Sequence, residues 1–263
     1  MRSKLFLILS LLIVASMVLA ACAPSAAPEE PAAPGEEPVE EPAAPAEKPA
    51  EEPAAEPAMG PEMSDAETYY VVTGAGEQET LDPAWTYETA GSAIEANIYE
   101  SLIWFNKEKT DEFVGVLATD WSVNETGDVW TFNIRDGVTF HEGGTLEPHD
   151  IAYSVHRDLL QDRIDGPHWM TLEAFFGLYT IEDLAVGDSG KEFADLSDDE
   201  LAAACEQVKA AIVADDDAGT VTYNLAAPTP WFLAMMANSF LGATYDSEWM
   251  IENGAWDGTC DNW

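Results

Sequence analysis

A segment rich in proline and glutamate, residues 23–64, limits what the rest of this 263-residue chain can fold into. It contains eleven of the sixteen prolines, eleven glutamates, one lysine (Lys48) and no aromatic residue. Such a composition cannot bury enough apolar surface to offset the entropy lost on ordering. Proline and like-charged glutamates also favour an extended polyproline II conformation. We therefore predict a spacer, with a proline-rich docking site as the alternative, and about 200 later residues that fold.

The residues before this spacer have the order of a secretory signal. Arg2 and Lys4 precede an uncharged, mostly apolar run at 5–19, and small residues then lead to Cys22. Exported proteins begin in this way, and residues 19–22 also resemble a bacterial lipobox, which implies a lipid on Cys22. We predict a signal peptide at 1–21, a disordered linker at 22–65, and a lipid anchor that holds the protein on the outer side of a membrane. An ordinary cleaved signal is the alternative.

The charge of the chain excludes one large class of partners. Fifty acidic residues against ten Lys and Arg give a formal net charge of −40. Nucleic acid binding requires clustered Lys and Arg, so we expect no nucleic acid partner. The negative charge would steer cationic ligands toward a cleft, and an adaptation for solubility or salt is the alternative explanation.

The cysteine count leaves one pair to be placed. The chain has three cysteines, and if Cys22 carries lipid, Cys205 and Cys260 remain in a compartment that permits disulfides. We predict a bond between them, which would close a loop of roughly 55 residues and add about 4 kcal/mol by the chain-entropy estimate. Two buried free thiols are the alternative.

Residue patterns predict interleaved strands and helices after residue 65. The expected strands are 69–73, 103–105 and 220–225, with a hairpin of 129–134 and 138–140. The expected helices are 90–102, 145–160 and a third that begins at Ser197, where Glu200 completes a capping box. The predicted buried face consists of Ile94, Ile98 and Leu102 in the first helix and of Ile151, Val155 and Leu159 in the second. In the third helix it consists of Leu201, Cys205, Val208 and Ile212. The class is therefore α/β or mixed α+β.

No set of residues has the spacing of a catalytic or metal site. His141, His149, His156 and His168 lack a nearby cysteine or second ligand at metal-site spacing, and the acidic run at 215–217 lacks the pattern of a calcium loop. No nucleophile or acid–base pair stands out. We expect no enzyme activity, no metal and no cofactor. A secreted hydrolase is the alternative, and it would need a nucleophile.

Several short motifs occur in order along the folded part of the chain. They are Thr-Leu-Asp-Pro (residues 80–83), Ile-Tyr-Glu-Ser-Leu (98–102), Leu-Ala-Thr-Asp-Trp (117–121), the segment 130–143, Asp-Ile-Ala-Tyr-Ser (150–154), and the segment 219–225 with Pro228 and residues 231–233 behind it. Together they resemble the extracellular solute-binding proteins of family 5, the oligopeptide and dipeptide receptors of ABC importers. Each motif alone is weak, but their order and spacing behind a lipobox and a spacer strengthen the resemblance.

The resemblance implies an α/β, type II periplasmic-binding-protein fold, with two lobes hinged about a cleft and an extra subdomain. By that pattern, residues 66–105 and 226–263 belong to the first lobe, and residues 106–225 form the extra subdomain. Because the chain ends at Trp263, we expect the second lobe to be missing. A single lobe is expected to bind ligand weakly.

The resemblance also implies a function and a site. The expected function is a monomeric, membrane-anchored lipoprotein that captures oligopeptides outside the membrane for an ABC permease, by closure of the lobes on the ligand. The candidate ligand-binding residues, which match the family's cleft-lining loop by position, are Trp85, Thr86, Tyr87, Glu88 and Thr89. A packed surface aromatic is the alternative for Tyr87. The alternative functions are a same-family receptor for a nickel chelate, opine or oligosaccharide, and a surface protein that binds nothing.

Overall fold

The computed structural model describes residues 76–161 and 166–263 of the chain. Contacts divide the chain into two units, Met1–Glu67 and Thr68–Trp263, and all described residues belong to the second. The signal peptide, Cys22, the linker and the strand expected at 69–73 lie outside the described residues. In chain order the elements are α1 (Thr89–Glu95), β1 (Ile103–Phe105), β2 (Phe113–Gly115), β3 (Ala118–Val123), β4 (Val129–Ile134), α2 (Pro148–Leu160), α3 (Trp169–Phe176), α4 (Ile181–Val186), a 3-10 turn (Phe193–Asp195), α5 (Asp198–Ala211), β5 (Ile212–Asp215), β6 (Thr220–Asn224), α6 (Phe232–Met236) and α7 (Ser247–Glu252).

A four-stranded antiparallel sheet in the order β3-β4-β6-β5 organises the middle of the chain. Phe132 at its centre stands opposite Trp121 on β3 and Val221 on β6. Phe132, Val221 and Tyr223 are fully buried, as alternation along a half-buried strand requires. A separate antiparallel pair, β1 with β2, precedes this sheet.

The predicted hairpin of 129–134 with 138–140 is wrong. A turn with Gly137 at φ +74° follows β4, but β4 pairs with β3 and β6. Thr139 instead forms an isolated bridge with Thr145. Strand β3 was not predicted, because most of its residues are exposed and it lacks the alternating apolar pattern.

The helix predicted at 90–102 is also wrong in extent. Helix α1 ends at Glu95, and Ile94 and Ile98, which were expected to be buried, are exposed. The Asn97 side chain donates to the Ala93 carbonyl at 2.7 Å. Such a local side-chain bond competes with continuation of a helix. Leu102 is buried as expected, but it lies just before β1.

The two later helices are confirmed, although the first begins three residues after the predicted start at Thr145, which forms the bridge with Thr139. Helix α2 begins at Pro148 with a capping box between Glu147 and Asp150, and α5 begins after Ser197 with the predicted Ser197–Glu200 box. The residues of both predicted buried faces contact the core, although Leu201 is only partly buried and Ile212 is the first residue of β5 rather than part of α5. Every residue of α2 except His149 is buried, because the helix packs against β5, β6, α5 and α7.

A disulfide joins Cys205 on α5 to Cys260, and it links residues 55 positions apart. One hydrophobic core contains residues from all three predicted parts of the folded region, among them Ile103, Phe132 and Phe232. The predicted boundaries at 105/106 and 225/226 stay a prediction. No helix within the described ranges is both long and apolar enough to cross a bilayer.

Candidate functional site

The turn at residues 82–88 carries most of the predicted site residues, and its main chain is tightly fixed. The Asp82 carbonyl accepts hydrogen bonds from the amides of Trp85 and Thr86, each at 2.9 Å. The Asp82 carboxylate accepts from the Ala84 amide at 3.1 Å. This arrangement is a local turn held by an aspartate side chain, as is common for Asp-Pro sequences.

The end of this turn is fixed by a helix cap. The Glu88 carboxylate accepts from the Gly91 amide at 2.9 Å at the start of α1 and from the Glu79 amide at 3.2 Å. Capping satisfies amides that have no partner inside the helix. A Cβ atom at Gly91 would stand 2.4 Å from Glu88 Oε1 and 2.8 Å from the methyl carbon of the buried Thr86, so a larger residue at position 91 would displace the capping carboxylate.

A buried ion pair holds the start of the turn against α2. Arg157 donates from Nη1 to Asp82 Oδ1 at 2.8 Å and from Nη2 to Oδ2 at 2.6 Å. The arginine side chain is only 7% exposed. Burial would raise the pKa of Asp82, but the hydrogen bonds and charge of Arg157 outweigh it and lower that pKa. Two parallel charge-assisted bonds fix the orientation of both groups.

Further buried polar groups surround this pair. Tyr245 donates to Asp158 Oδ1 at 2.7 Å, and its ring lies 5.5 Å beneath the Arg157 guanidinium, within cation–π range. Burial raises the pKa of Asp158 well above its usual value. We refer to Asp82, Arg157, Asp158, Tyr245 and His168 as the buried network.

His168 contributes to the buried network as a neutral side chain. Burial lowers its pKa to about 4. Its Nε2 lies 3.2 Å from the Pro83 carbonyl, and because a carbonyl only accepts, the ring donates. His168 therefore holds the turn from a second side.

Four aromatic side chains form an exposed surface beside this fixed turn. Trp85, Tyr87, Trp169 and Tyr179, the aromatic surface, are 40%, 48%, 38% and 55% exposed. Trp169 Nε1 donates to the Tyr87 hydroxyl at 3.2 Å, and Trp85 Nε1 donates to the Gln161 carbonyl at 2.7 Å. The Trp169 and Tyr179 rings lie 6.3 Å apart. Flat aromatic faces of this kind bury large apolar area against a ligand.

The structure gives the five predicted ligand-binding residues different positions. The side chains of Trp85 and Tyr87 belong to the aromatic surface, and Thr89 is exposed at the start of α1. Thr86 is fully buried, and Glu88 acts as the helix cap. Trp169 and Tyr179 were missed, because only the fold brings them near residue 87. Ligand binding by residues 85–89 stays a prediction.

The histidines occupy varied settings. His149 places Nδ1 3.0 Å from Asp216 Oδ2 and Nε2 2.8 Å from Glu248 Oε1. Burial opposes its charge, but the hydrogen bonds to Glu248 and Asp216 raise its pKa. The fold thus brings His149 together with Glu147 and Asp216 on one side and with Asp150 and Glu248 on the other. When protonated, the ring donates to two carboxylates and has no free lone pair for a metal.

The other two histidines also have ordinary positions. His156 is buried with Nε2 2.8 Å from the Ile212 carbonyl, and burial lowers its pKa to about 4. His141 lies exposed in a turn.

Comparison with known proteins identifies the family. Residues 112–257, more than half of the chain, match the family described as bacterial extracellular solute-binding proteins, family 5 Middle. The chain belongs to the family 5 solute-binding proteins. The sequence is 25% identical over 162 residues to the periplasmic murein peptide-binding protein MppA of Escherichia coli K12, which covers 62% of this chain and 26% of that protein. It is 31% identical over 94 residues to the dipeptide-binding protein of the same organism, which covers 33% of this chain and 17% of that protein.

The fold of this family 5 protein agrees with solved structures. The substrate-binding domain of an oligopeptide ABC transporter from Bacillus anthracis strain Ames superposes with a TM-score of 0.51 at 21% identity, over 70% of this chain and 31% of that one. The predicted α/β periplasmic-binding-protein fold is confirmed for the part that the chain covers. The chain spans 26% and 17% of the lengths of the two curated relatives described above.

Proposed function

We propose that this family 5 protein is an extracytoplasmic receptor that captures oligopeptides and delivers them to an ABC permease. Family membership supports a solute-binding, non-catalytic role. The names of the relatives, a murein peptide-binding and a dipeptide-binding protein, favour peptides. The observation that carries the proposal is the aromatic surface, which stands on a turn that the buried network fixes from below.

This arrangement suits a ligand of variable sequence. Aromatic faces tolerate many side chains, because they contribute apolar contact area without demanding a particular hydrogen-bond pattern. The fixed turn costs little entropy to order on binding, which favours affinity. In this proposal the aromatic surface is one wall of the cleft, and closure of a second lobe on the bound peptide completes the site.

Calorimetric titration with di- to pentapeptides tests the proposal, with the protein expressed from its complete gene. We expect Tyr87→Ala and Trp169→Ala to weaken binding at least about tenfold, because truncating a central interface aromatic costs about 2 kcal/mol or more. Trp104→Ala is the matched control, since Trp104 is 39% exposed but lies on β1, outside the aromatic surface. Equal affinity in all three variants would remove the aromatic surface from the site.

The same titration separates the alternatives. Binding of a nickel chelate, an opine or an oligosaccharide in place of peptides would keep the receptor role and change the solute. Absence of binding to every solute class would favour a surface protein that does not bind ligand.

The lipid anchor on Cys22 is part of the proposal. Detergent phase partitioning of the exported protein tests it, with Cys22→Ser as the variant. We expect the native chain in the detergent phase, because two or more acyl chains anchor stably, and Cys22→Ser in the aqueous phase. Partitioning of both proteins into water would contradict the anchor.

A further inference from the structure

Glu95, the last residue of α1, is an unusual carboxyl group. Its side chain is fully buried. Both of its oxygens lack a hydrogen-bond partner among the residues that the structure describes. Burying a carboxylate without a partner is costly, and a group in this position usually takes up a proton instead.

The surroundings of Glu95 add to this cost. The nearby carboxylates of Asp82 and Glu88 raise its pKa, and Glu95 in turn raises the pKa values of Tyr99 and Asp158. The position at the end of a helix, where the carbonyl groups carry partial negative charge, is also unfavourable for an anion.

Among residues 76–161 and 166–263, no cationic side chain pairs with Glu95. Arg157 is held by both oxygens of Asp82, and His168 is neutral because burial lowers its pKa to about 4. The Thr86 hydroxyl acts to lower the pKa of Glu95, but it has a single proton, and the main-chain carbonyls of Thr80 and Asp82 compete for it at 3.2 and 3.1 Å. With burial as the largest cause, the pKa of Glu95 rises from 4.5 to about 7.

We propose that Glu95 is a proton-controlled latch beneath the ligand-binding turn: its neutral form holds residues 82–88 in place, and its ionisation loosens them. The latch adjoins the turn through Thr86 and through α1, which Glu88 caps. Its effect on ligand binding rests on the function proposed above, and its effect on the turn does not. The turn is therefore best ordered below neutral pH and loosens as the pH rises.

The sign of the effect follows from linkage. The folded pKa lies above the ordinary value, so the stabilisation is complete below about pH 4.5 and is lost as the pH rises to about 7. Local opening of the turn should therefore increase on the order of 50-fold between about pH 5 and about pH 7.5.

Hydrogen exchange measured by mass spectrometry on the full chain without ligand tests the latch. The readout is protection of the amides at residues 84–92, corrected for the intrinsic pH dependence of exchange. We expect Glu95→Gln, which mimics the neutral form, to remove the pH dependence and keep the turn protected at high pH. Glu100→Gln is the matched control, because it removes the same charge from an exposed position, and it should behave like the native chain. Identical profiles for all three proteins would overturn the proposal.

A second measurement needs no variant that might fold poorly. Carbon-13 NMR of the native chain follows the Glu95 carboxyl group through a pH titration. A midpoint close to 7 supports the latch, and a midpoint below about 5, an ordinary value for glutamate, overturns it. Both measurements are made without peptide, so failure of peptide binding would refute the proposed function and leave the latch to be judged separately.

Discussion

Two charged residues of helix α2, Arg157 near its C-terminal end and His149 near its N-terminal end, hold their partners in opposite ways. At its C-terminal end, Arg157 and Asp158 are buried and bind Asp82 and Tyr245. At its N-terminal end, His149 lies between Asp216 and Glu248, whose side chains are 48% and 65% exposed. Both ends connect segments far apart in sequence, but only the buried end supports the turn that carries Trp85 and Tyr87. The comparison indicates that burial, rather than the number of charges, decides which ionic contact shapes the site.

Removing Arg157 should produce the largest effect. Arg157→Met removes the partner of Asp82, whose side chain is 28% exposed. Breaking a buried pair costs about 3–5 kcal/mol, so we expect a loss near the lower end of that range. The free energy of unfolding from urea titration measures this loss. Arg135→Met is the control, because Arg135 is exposed, and it should cost less than about 1 kcal/mol. Equal losses for the two variants would mean that the buried end of α2 has no special role.

Removing the Tyr245 hydroxyl should have an intermediate effect. Tyr245→Phe keeps the ring under Arg157 but removes the hydrogen bond to Asp158. A lost bond of this kind in a buried position costs about 1–3 kcal/mol. Tyr179→Phe, which removes a hydroxyl bonded to Glu173 on the surface, should change the unfolding free energy by less than about 0.5 kcal/mol. A negligible loss for Tyr245→Phe would show that the network depends on Arg157 alone.

Replacing His149 should give the smallest effect on the unfolding free energy, and this effect should depend on pH. The hydrogen bonds to Glu248 and Asp216 raise the pKa of His149 above 6.5, so its contribution is present below that pH and is lost as the pH rises through the folded pKa. Solvent screening limits this contribution to about 0.5 kcal/mol. Comparison of His149→Gln with the native chain should therefore show a small loss at about pH 6 and none at about pH 9.

Salt provides the control for this last prediction. About 1 M NaCl shortens the Debye length to about 3 Å, which should remove the His149 effect and leave the Arg157→Met loss nearly unchanged. If His149 contributes more than about 2 kcal/mol to the unfolding free energy and salt does not reduce this contribution, the contrast between the buried Arg157 pair and the exposed partners of His149 is wrong.

The elements that could be predicted from the sequence are those whose starts are marked by local capping residues. Pro148 with Asp150, and Ser197 with Glu200, specify helix starts through hydrogen bonds within one turn, so α2 and α5 could be predicted. The hairpin failed because the choice of partner for β4 depends on β3 and β6, and β6 lies about ninety residues later. Local patterns contain no information on such pairing.

The candidate site likewise contains residues that the sequence could predict and residues that only the fold brings together. Trp85 and Tyr87 were found through the family motif next to them, but Trp169 and Tyr179 required the fold. The sequence could not show that Glu95 is buried, because Ile94 beside it is the residue that a hydrophobic pattern selects. In the structure Glu95 is buried and Ile94 is exposed.

Gly91 makes the turn vulnerable to a very small mutation. Its missing side chain leaves the space that Glu88 needs to reach the start of α1. Even alanine there would displace the Glu88 carboxylate, which would then lose its hydrogen bonds from the Gly91 and Glu79 amides. We therefore expect Gly91→Ala to cost about 1 kcal/mol of unfolding free energy, the typical value of a lost helix cap, although residue 91 lies outside the aromatic surface and needs to touch no ligand.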